Sequence, residues 1–401
     1  MSRSCGLSSW ETVIASHFPG LSLPQSRVLA WWSFGIYLAQ SCALTAVIAH
    51  LFRVVGTKPD TLRQRLREWL YNASDKKGDK RQQLDVEVCF APLFRWIVQA
   101  WVRDKLFMAV DASSLKERFV VLSVSVCFRG CAIPVAWTVL PAAQKGEWRS
   151  HWLRMLRRLH RETPRHLRVF VLADRGLYAR WLFRRIVRLK WHPLLRVNSG
   201  GGFRPVADNR FHRIASFVQR PGDAWEGPGD AFKTKTRRLS GVRLLAYWHP
   251  DAKEPWFLLT DREDTSPQWY ARRAWIEQQF RLIKRGGWNW QNTRITDPQR
   301  AERLWLALAV STLIVLHEGY RAEDEETMSN ADTFPEDDFT DGDSGNANAD
   351  DTKPPRPRIV SLFRTGCAVI RVLGDVIRTT FRFLDDPLPK LAENQAQAIP
   401  T

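Results

Sequence analysis

The sequence predicts an α/β protein: a mixed sheet with flanking helices, interrupted by a β-rich insertion and preceded by a helical N-terminal domain. Three observations carry that expectation. Two apolar runs, Leu106 to Val110 and Leu167 to Ala173 with Arg168 near its start, each stop abruptly at an acid, Asp111 and Asp174; near-continuous apolar runs of that length mark strands buried on both faces. Stretches of helical periodicity, Trp148 to Arg161 and Tyr178 to Leu189, flank the second run. From Trp191 to Asp261 short strand patterns alternate with glycine-rich turns, among them Gly200-Gly201-Gly202, a punctuation suited to strands.

Residues 1 to 100 read as helices. Val28 to Phe52 is the buried element, Gly56-Thr57-Lys58-Pro59 breaks it, and Asp60 is placed to cap a second helix striped by Leu62, Leu66, Trp69 and Leu70. That helix also carries Arg63, Arg65 and Arg67. A basic helix after a tight turn has the form of a helix-turn-helix reader, with Arg63 and Arg67 as candidate DNA contacts; a solvated basic face is the alternative. Between Arg27 and Arg53 no residue is charged save His50, a length that could span a bilayer. Polar Ser33, Gln40, Ser41 and Thr45 interrupt it, and a buried helix or helix pair fits as well. We expect no membrane association. Met1 to Gly20 lacks the pattern of a signal peptide, so a cytoplasmic protein is expected.

Downstream, Phe119 to Phe128 and Cys131 to Leu140 form a hairpin about Arg129-Gly130. Strand, strand, strand, helix, strand, helix is the opening order of an RNase H-like fold. Gln268 to Arg285 and Pro298 to Gly319 read as helices. Residues 321–358 have the composition of disorder, and Ile359 to Leu384 returns to helix, with Arg364, Arg371 and Arg378 seven residues apart. The expected divisions are a helical DNA-binding region (1–100), a catalytic domain in two parts (101–190 and 263–320), a β-rich insertion (191–262), an acidic linker (321–358), and a C-terminal helix and tail (359–401).

The formal charge of +18 is unevenly spread: Arg321 to Asp351 holds twelve acids and one base, so the remainder is more basic still. Charge of that size suits a polyanion, whose counterions are released when phosphates are neutralised; a merely basic surface is the alternative. With 44% hydrophobic and 11% aromatic residues the chain is not an extended polar one. The six cysteines are scattered without zinc-type spacing and are expected as reduced thiols.

The densest chemistry lies in Tyr270-Ala-Arg-Arg273-Ala-Trp-Ile-Glu277-Gln-Gln-Phe-Arg281-Leu-Ile-Lys284. At about 100° per residue, one arc of a helix holds Tyr270, Arg273, Glu277, Arg281 and Lys284, and the opposite arc holds Trp275, Ile276, Leu282 and Ile283. Transfer at a phosphodiester needs an activated oxygen nucleophile and neutralisation of the leaving oxygen, and two Mg²⁺ ions about 3.5–4 Å apart do both. Such hard ions want carboxylate oxygens. Asp111 and Asp174, at adjacent strand ends, with Glu277 approaching from the helix, are the candidate metal ligands and catalytic residues. Two Mg²⁺ ions are the expected cofactor, with Mn²⁺ able to substitute, while Arg273, Arg281 and Lys284 would grip flanking phosphates. Taken singly, each acid has an ordinary reading as a turn residue or a salt-bridge partner.

The spacing Tyr270-(2)-Arg273-(3)-Glu277-(6)-Lys284 resembles the YREK signature of the insertion sequence four family of DDE transposases. The likeness extends over roughly Leu106 to Gly319, including the Asp174-Arg175-Gly176 turn and the apolar helix after Glu277. It implies an RNase H-like catalytic domain split by a β-strand insertion, and cut-and-paste movement of DNA with a 3′-OH as second nucleophile. The substrates would be terminal inverted repeats and a target duplex, handled by a homodimer in a bacterial, nucleoid-associated setting. It also implies DNA-end contacts for Tyr270 and Arg273, and, if ends pass through hairpins, a base-stacking tryptophan, for which Trp256 is the candidate; a strand tryptophan in a core is the alternative. Residues 1 to 100 carry no pattern of the family. A related metal-dependent nuclease, or an end-binding protein without activity, are the competing functions. Lys145, Trp148 and Trp152 could line the approach to the site, or the tryptophans could pack in the core.

Overall fold

The computed structural model describes residues 3–77, 82–144, 146–331 and 361–373. Four helices open the chain: α1 (Arg3–His17), α2 (Leu23–Ala39), α3 (Leu44–Val55) and α4 (Pro59–Leu70). The uncharged stretch is thus a helix pair, α2 and α3, bent by 106°. Gly35 permits their close approach, because a Cβ there would lie 2.6 Å from side-chain atoms of Val47 and Leu51. Among the described residues no single helix is long and apolar enough to cross a membrane, although the bent pair passes by length and composition. Asp60 does not cap α4. Lys58 stands at the cap, Pro59 opens the first turn and Asp60 lies within it, where its charge still favours the helix N-terminus.

The stripe expected of α4 faces inward. Trp32 Nε1 donates to the Leu66 carbonyl at 3.1 Å and Trp69 Nε1 to the Gln25 carbonyl at 3.1 Å, while Arg63, Arg65 and Arg67 are exposed. Arg65 lies over the Trp31 ring and Arg67 donates to the Tyr71 hydroxyl.

After α5 (Phe90–Gln99) the strands begin: β1 (Lys105–Leu115), β2 (Phe119–Phe128) and β3 (Cys131–Pro141), then α6 (Trp148–His160), β4 (Arg168–Ala173), α7 (Arg180–Arg188) and β5 (His192–Arg196). Arg129 and Gly130, at φ +42° and +88°, turn β2 into β3 with the left-handed pair that a two-residue hairpin requires. Five further strands follow, β6 (Gly202–Pro205), β7 (His212–Arg213), β8 (Ala224–Ala231), β9 (Leu239–Tyr247) and β10 (Trp256–Thr260). All ten lie in one sheet, ordered β3-β2-β1-β4-β5-β10-β9-β8-β6-β7. β4 runs parallel to both β1 and β5, and β10 joins antiparallel to β5. The strand order therefore couples β5, which lies inside residues 191–262, to β4, and the later strands continue the same sheet. Trp152 is buried in the core as the bland reading has it, Trp148 is half-buried, and Lys145 lies outside the described residues.

Three helices complete the chain: α8 (Ala274–Arg281), α9 (Pro298–Ala331) and α10 (Leu362–Leu373). The first half of α9 is buried between α2 and β3. Ser311 Oγ donates to the Ser33 carbonyl at 3.0 Å, and buried Arg303 donates to the carbonyls of Leu70 and Leu84. Helix α9 runs on to Ala331, so the first residues of the expected disordered linker are helical instead. Ala322, Glu323, Glu325, Glu326 and Met328 are good helix formers, and extending a helix already nucleated by packing is far less costly than starting one. The rest of the linker, and the expected helix beyond Leu373 with Arg378, lie outside the described residues. Gly319 and Gly366 seat α10 on α9: a Cβ at Gly319 would stand 2.1 Å from the Leu362 carbonyl. The thiols of Cys42 and Cys131 are buried and pushed up to about 12 by that burial, so they stay protonated and unreactive.

One joint between α9 and β3 titrates. The Glu302 carboxyl accepts the Val139 amide at 2.8 Å, its own carbonyl accepts Trp137 Nε1, and burial pushes the carboxyl up to about 7. The folded state keeps a proton that the unfolded chain gives up above its ordinary value near 4.5. This group's contribution is therefore most favourable below that value and declines as pH rises through about 7, by roughly 3 kcal/mol in all. Thermal melts from about pH 5 to pH 8 should show stability falling with pH in the wild type and a flatter profile in Glu302→Gln; identical slopes would refute the assignment.

Candidate active site

The parallel ladder of β1 and β4 sets two carboxylates side by side. Val110 pairs with Ala173, so the next residues, Asp111 in β1 and Asp174 just past β4, lie at the same level. Asp111 stays in the sheet opposite Ser123 of β2, whereas β4 ends and Asp174 enters a turn. Each acid folds back on its neighbour: the Ala112 amide donates to Asp111 Oδ1 at 2.8 Å and the Arg175 amide to Asp174 Oδ1 at 2.7 Å. Burial pushes the Asp111 carboxyl up. The Arg273 guanidinium and the Ala112 amide oppose that rise, and the Asp174 carboxylate adds to it.

Glu277 arrives from the other side. The stretch expected as one helix from Gln268 to Arg285 is three pieces: a 3₁₀ helix (Pro267–Arg273), α8, and a π-helical turn (Leu282–Gly286). Pro267 opens the first piece, and the amides of Gly287 and Trp288 both donate to the Leu282 carbonyl in the last, which widens it. The uniform rotation of one α-helix does not hold across these joints, yet the polar groups still meet. Ile276 and Ile283 are buried against the sheet as expected, with Trp275 and Leu282 half-buried.

Arg273 is the centre of the cluster. Its Nη2 donates to Asp111 Oδ2 at 2.8 Å and its Nη1 donates to Glu277 Oε1. A single guanidinium thus ties β1 to α8. Lys284 Nζ donates to Ser113 Oγ at 2.8 Å, and the Lys284 ammonium is pulled down by burial and by Arg285, against the pull of Asp111. Tyr270 is buried, its hydroxyl donating to the Ala173 carbonyl at 3.4 Å. The phenol, expected as a DNA-end contact, is turned into the protein here, close to Asp174. Burial, chiefly, raises that phenol's pKa. Trp256 opens β10 half-buried, with its ring edge-on to Tyr270 at 5.3 Å. Arg281 is exposed.

Asp111, Asp174, Glu277, Arg273, Tyr270, Lys284 and Trp256 therefore share one neighbourhood. Arg63 and Arg67 do not join it; they lie on α4, which packs on α2, α3 and α9. Three participants carried no strong sequence signal. Ser113 is two residues past Asp111, hence on the same face of β1. Arg196 acts on the Tyr270 phenol because β5 runs in register with β4. Arg272, buried over the Phe107 ring at 4.3 Å, pins the 3₁₀ helix to the sheet.

Among the described residues no group of three potential ligands is already gathered about a cation position. The donor chemistry nevertheless fits a hard divalent ion: three carboxylates, two of them on adjacent parallel strands, with no sulfur or imidazole among them. The positive charge those carboxylates call for is supplied here by Arg273, which stands between Asp111 and Glu277 as a stand-in cation.

Residues 141–314 match a family model described as the transposase DDE domain. The matched stretch includes Asp174, Trp256, Tyr270, Arg273, Glu277 and Lys284, and begins after Asp111. No curated protein matches the chain.

Proposed function

We propose, from the match of residues 141–314 to the transposase DDE domain, that the chain is an enzyme of DNA cleavage and strand transfer in which Asp111, Asp174 and Glu277 are the catalytic acids and hold two Mg²⁺ ions, with Mn²⁺ able to replace them. The observation that carries this reading is the Arg273 bridge, which joins an acid of β1 to an acid of α8 at the level where Asp174 leaves β4. The order β3-β2-β1-β4-β5 of the first five strands supports an RNase H-like core, with β6 to β10 as its insertion.

When bound, the metal ions would activate the attacking oxygen and neutralise the departing one. The chain's own groups do the rest. The Arg273 fork is shaped for a phosphate as well as for carboxylates, so an arriving DNA end offers it an exchange of partners and frees Asp111 and Glu277 together. Lys284, anchored on Ser113, and exposed Arg281 neutralise neighbouring phosphates. Tyr270 acts as a buried post behind Asp174, and Trp256 would have to leave it to stack on an extruded base, as a hairpin route demands. Arg63 and Arg67, exposed on α4, would read the terminal repeats. Two protomers pairing two ends complete the cut-and-paste reading.

A duplex ending in a free 3′-OH, mixed with a target plasmid, Mg²⁺ and the protein, should yield joined product. Cleavage of an uncut end without joining would assign the chain to metal-dependent nucleases instead, and binding without either reaction would make it a silent end-binding protein.

A further inference from the structure

We propose that the last turns of α6 and α7 form a second docking surface for double-stranded DNA, gripping its phosphates at the end of the sheet remote from the carboxylates. Arg157 and His160 come from α6, Arg185 and Arg188 from α7, and Lys190 from the turn into β5. The His160 ring meets the Trp191 ring edge-on at 5.7 Å, which brings the two helix ends together. Arg157 and Arg188 lie close enough to Arg185 to pull its pKa down, after burial as the larger cause, and Arg185 and Lys190 do the same to His160. These are like charges held against one another.

Nothing among the described residues relieves them. Among the described residues Arg157, Arg185, Arg188 and Lys190 form no ion pair, although Arg154 and Arg158, on the same helix, both find Glu87. The Nε of Arg185 and Nδ1 of His160 are buried without a hydrogen-bond partner, and Trp148 to Arg161 and Arg175 to Ala207 contain no Asp or Glu. A helix C-terminus does favour cations, but that attraction acts within each helix and does not account for two helix ends facing each other with their cations. An external row of phosphates does, and arginine's fork matches it.

The place is distinct from the carboxylate cluster. Phe170 of β4 pairs with His192 of β5, so Lys190 stands near the start of β4, roughly 20 Å of strand from Asp174. One phosphate cannot touch both. The occupant proposed here is a second duplex molecule, docked apart from the one at the carboxylates. The word "second" rests on the function proposed above; the binding itself does not.

The test uses the full chain in EDTA, so that no cleavage is read. Titration with a 16-base-pair duplex should saturate at two duplexes per chain in the wild type and at one in Arg157→Glu/Arg188→Glu. The affinity of the remaining duplex should be unchanged, and at the affected surface the salt dependence should be shallower by about two phosphate contacts. The pair Arg157→Lys/Arg188→Lys should keep both duplexes, which separates charge from structure; if the double glutamate variant fails to fold, Arg157→Gln/Arg188→Gln replaces it. Equal stoichiometry and affinity in wild type and variant overturn the proposal, leaving an acidic protein or no partner for this surface. If the variant loses one duplex while the wild type never cuts DNA in Mg²⁺, the docking surface stands and the catalytic reading alone fails.

Discussion

Glu277→Gln should lower metal-dependent strand cleavage by on the order of 10³-fold while leaving DNA binding within about twofold. Glutamine keeps the shape and the carbonyl oxygen that accepts from Arg273 but removes the negative charge a divalent ion requires; losses of this order follow when one preorganised electrostatic partner is removed from a reaction centre. Folding should hardly notice. The Glu277 side chain is 42% exposed, and a solvent-screened pair of that kind contributes at most about 1 kcal/mol. Cleavage rates on a labelled end, duplex binding in EDTA and a thermal melt separate the three effects. Cleavage at the wild-type rate in Mg²⁺ removes Glu277 from the site.

Arg273→Ala should have two opposed effects. Without metal, the variant leaves Asp111, whose side chain is only 17% exposed, without its cation; losing a charged hydrogen bond there costs about 1–3 kcal/mol, a fall of a few degrees in melting temperature. Mg²⁺ or Mn²⁺ should restore the loss in the variant and change the wild type little, because in the wild type the guanidinium already neutralises the acids. Divalent affinity in the absence of DNA should rise by about tenfold, which is about 1.4 kcal/mol. Cleavage should nevertheless fall, since no planar fork remains to hold the phosphate. Melts in EDTA and in Mn²⁺, with a direct Mn²⁺ binding measurement, decide the matter: equal metal affinity for the two proteins without DNA would show that Arg273 does not stand in for a cation.

Much of the core was legible because its signals are local. The runs before Asp111 and Asp174 read as strands by composition, and Arg129-Gly130 read as a hairpin turn because few other conformations suit it. The cluster around Glu277 was legible in membership but not in geometry. A uniform wheel places Tyr270 and Arg273 on one arc with Glu277, whereas the 3₁₀ and π segments around α8 bury the first and aim the second at Asp111. Those joints depend on Pro267, on the Gly286-Gly287 end and on the packing of Arg272 over Phe107, which is a tertiary contact between residues far apart in sequence. The break between α2 and α3 is hard to read for a similar reason: a charge-free stretch has the same composition whether it is straight or bent, and the bend lies at left-handed Gln40, with Gly35 admitting the close approach of Val47 and Leu51. The start of the linker is helical where its composition suggests disorder, because its glutamates lower mean hydropathy without lowering helix propensity.

The spacing between Asp111 and Asp174 is inherited from the distance between neighbouring main chains, about 4.8 Å, and owes little to the side chains beneath. Conservative repacking of Met108, Leu172 or other residues under the sheet would spend stability long before it moved one carboxylate relative to the other. A lineage of such proteins is therefore free to drift widely in its interior, provided the two backbones stay in step, and a slip of one residue between them would do more harm than many substitutions below.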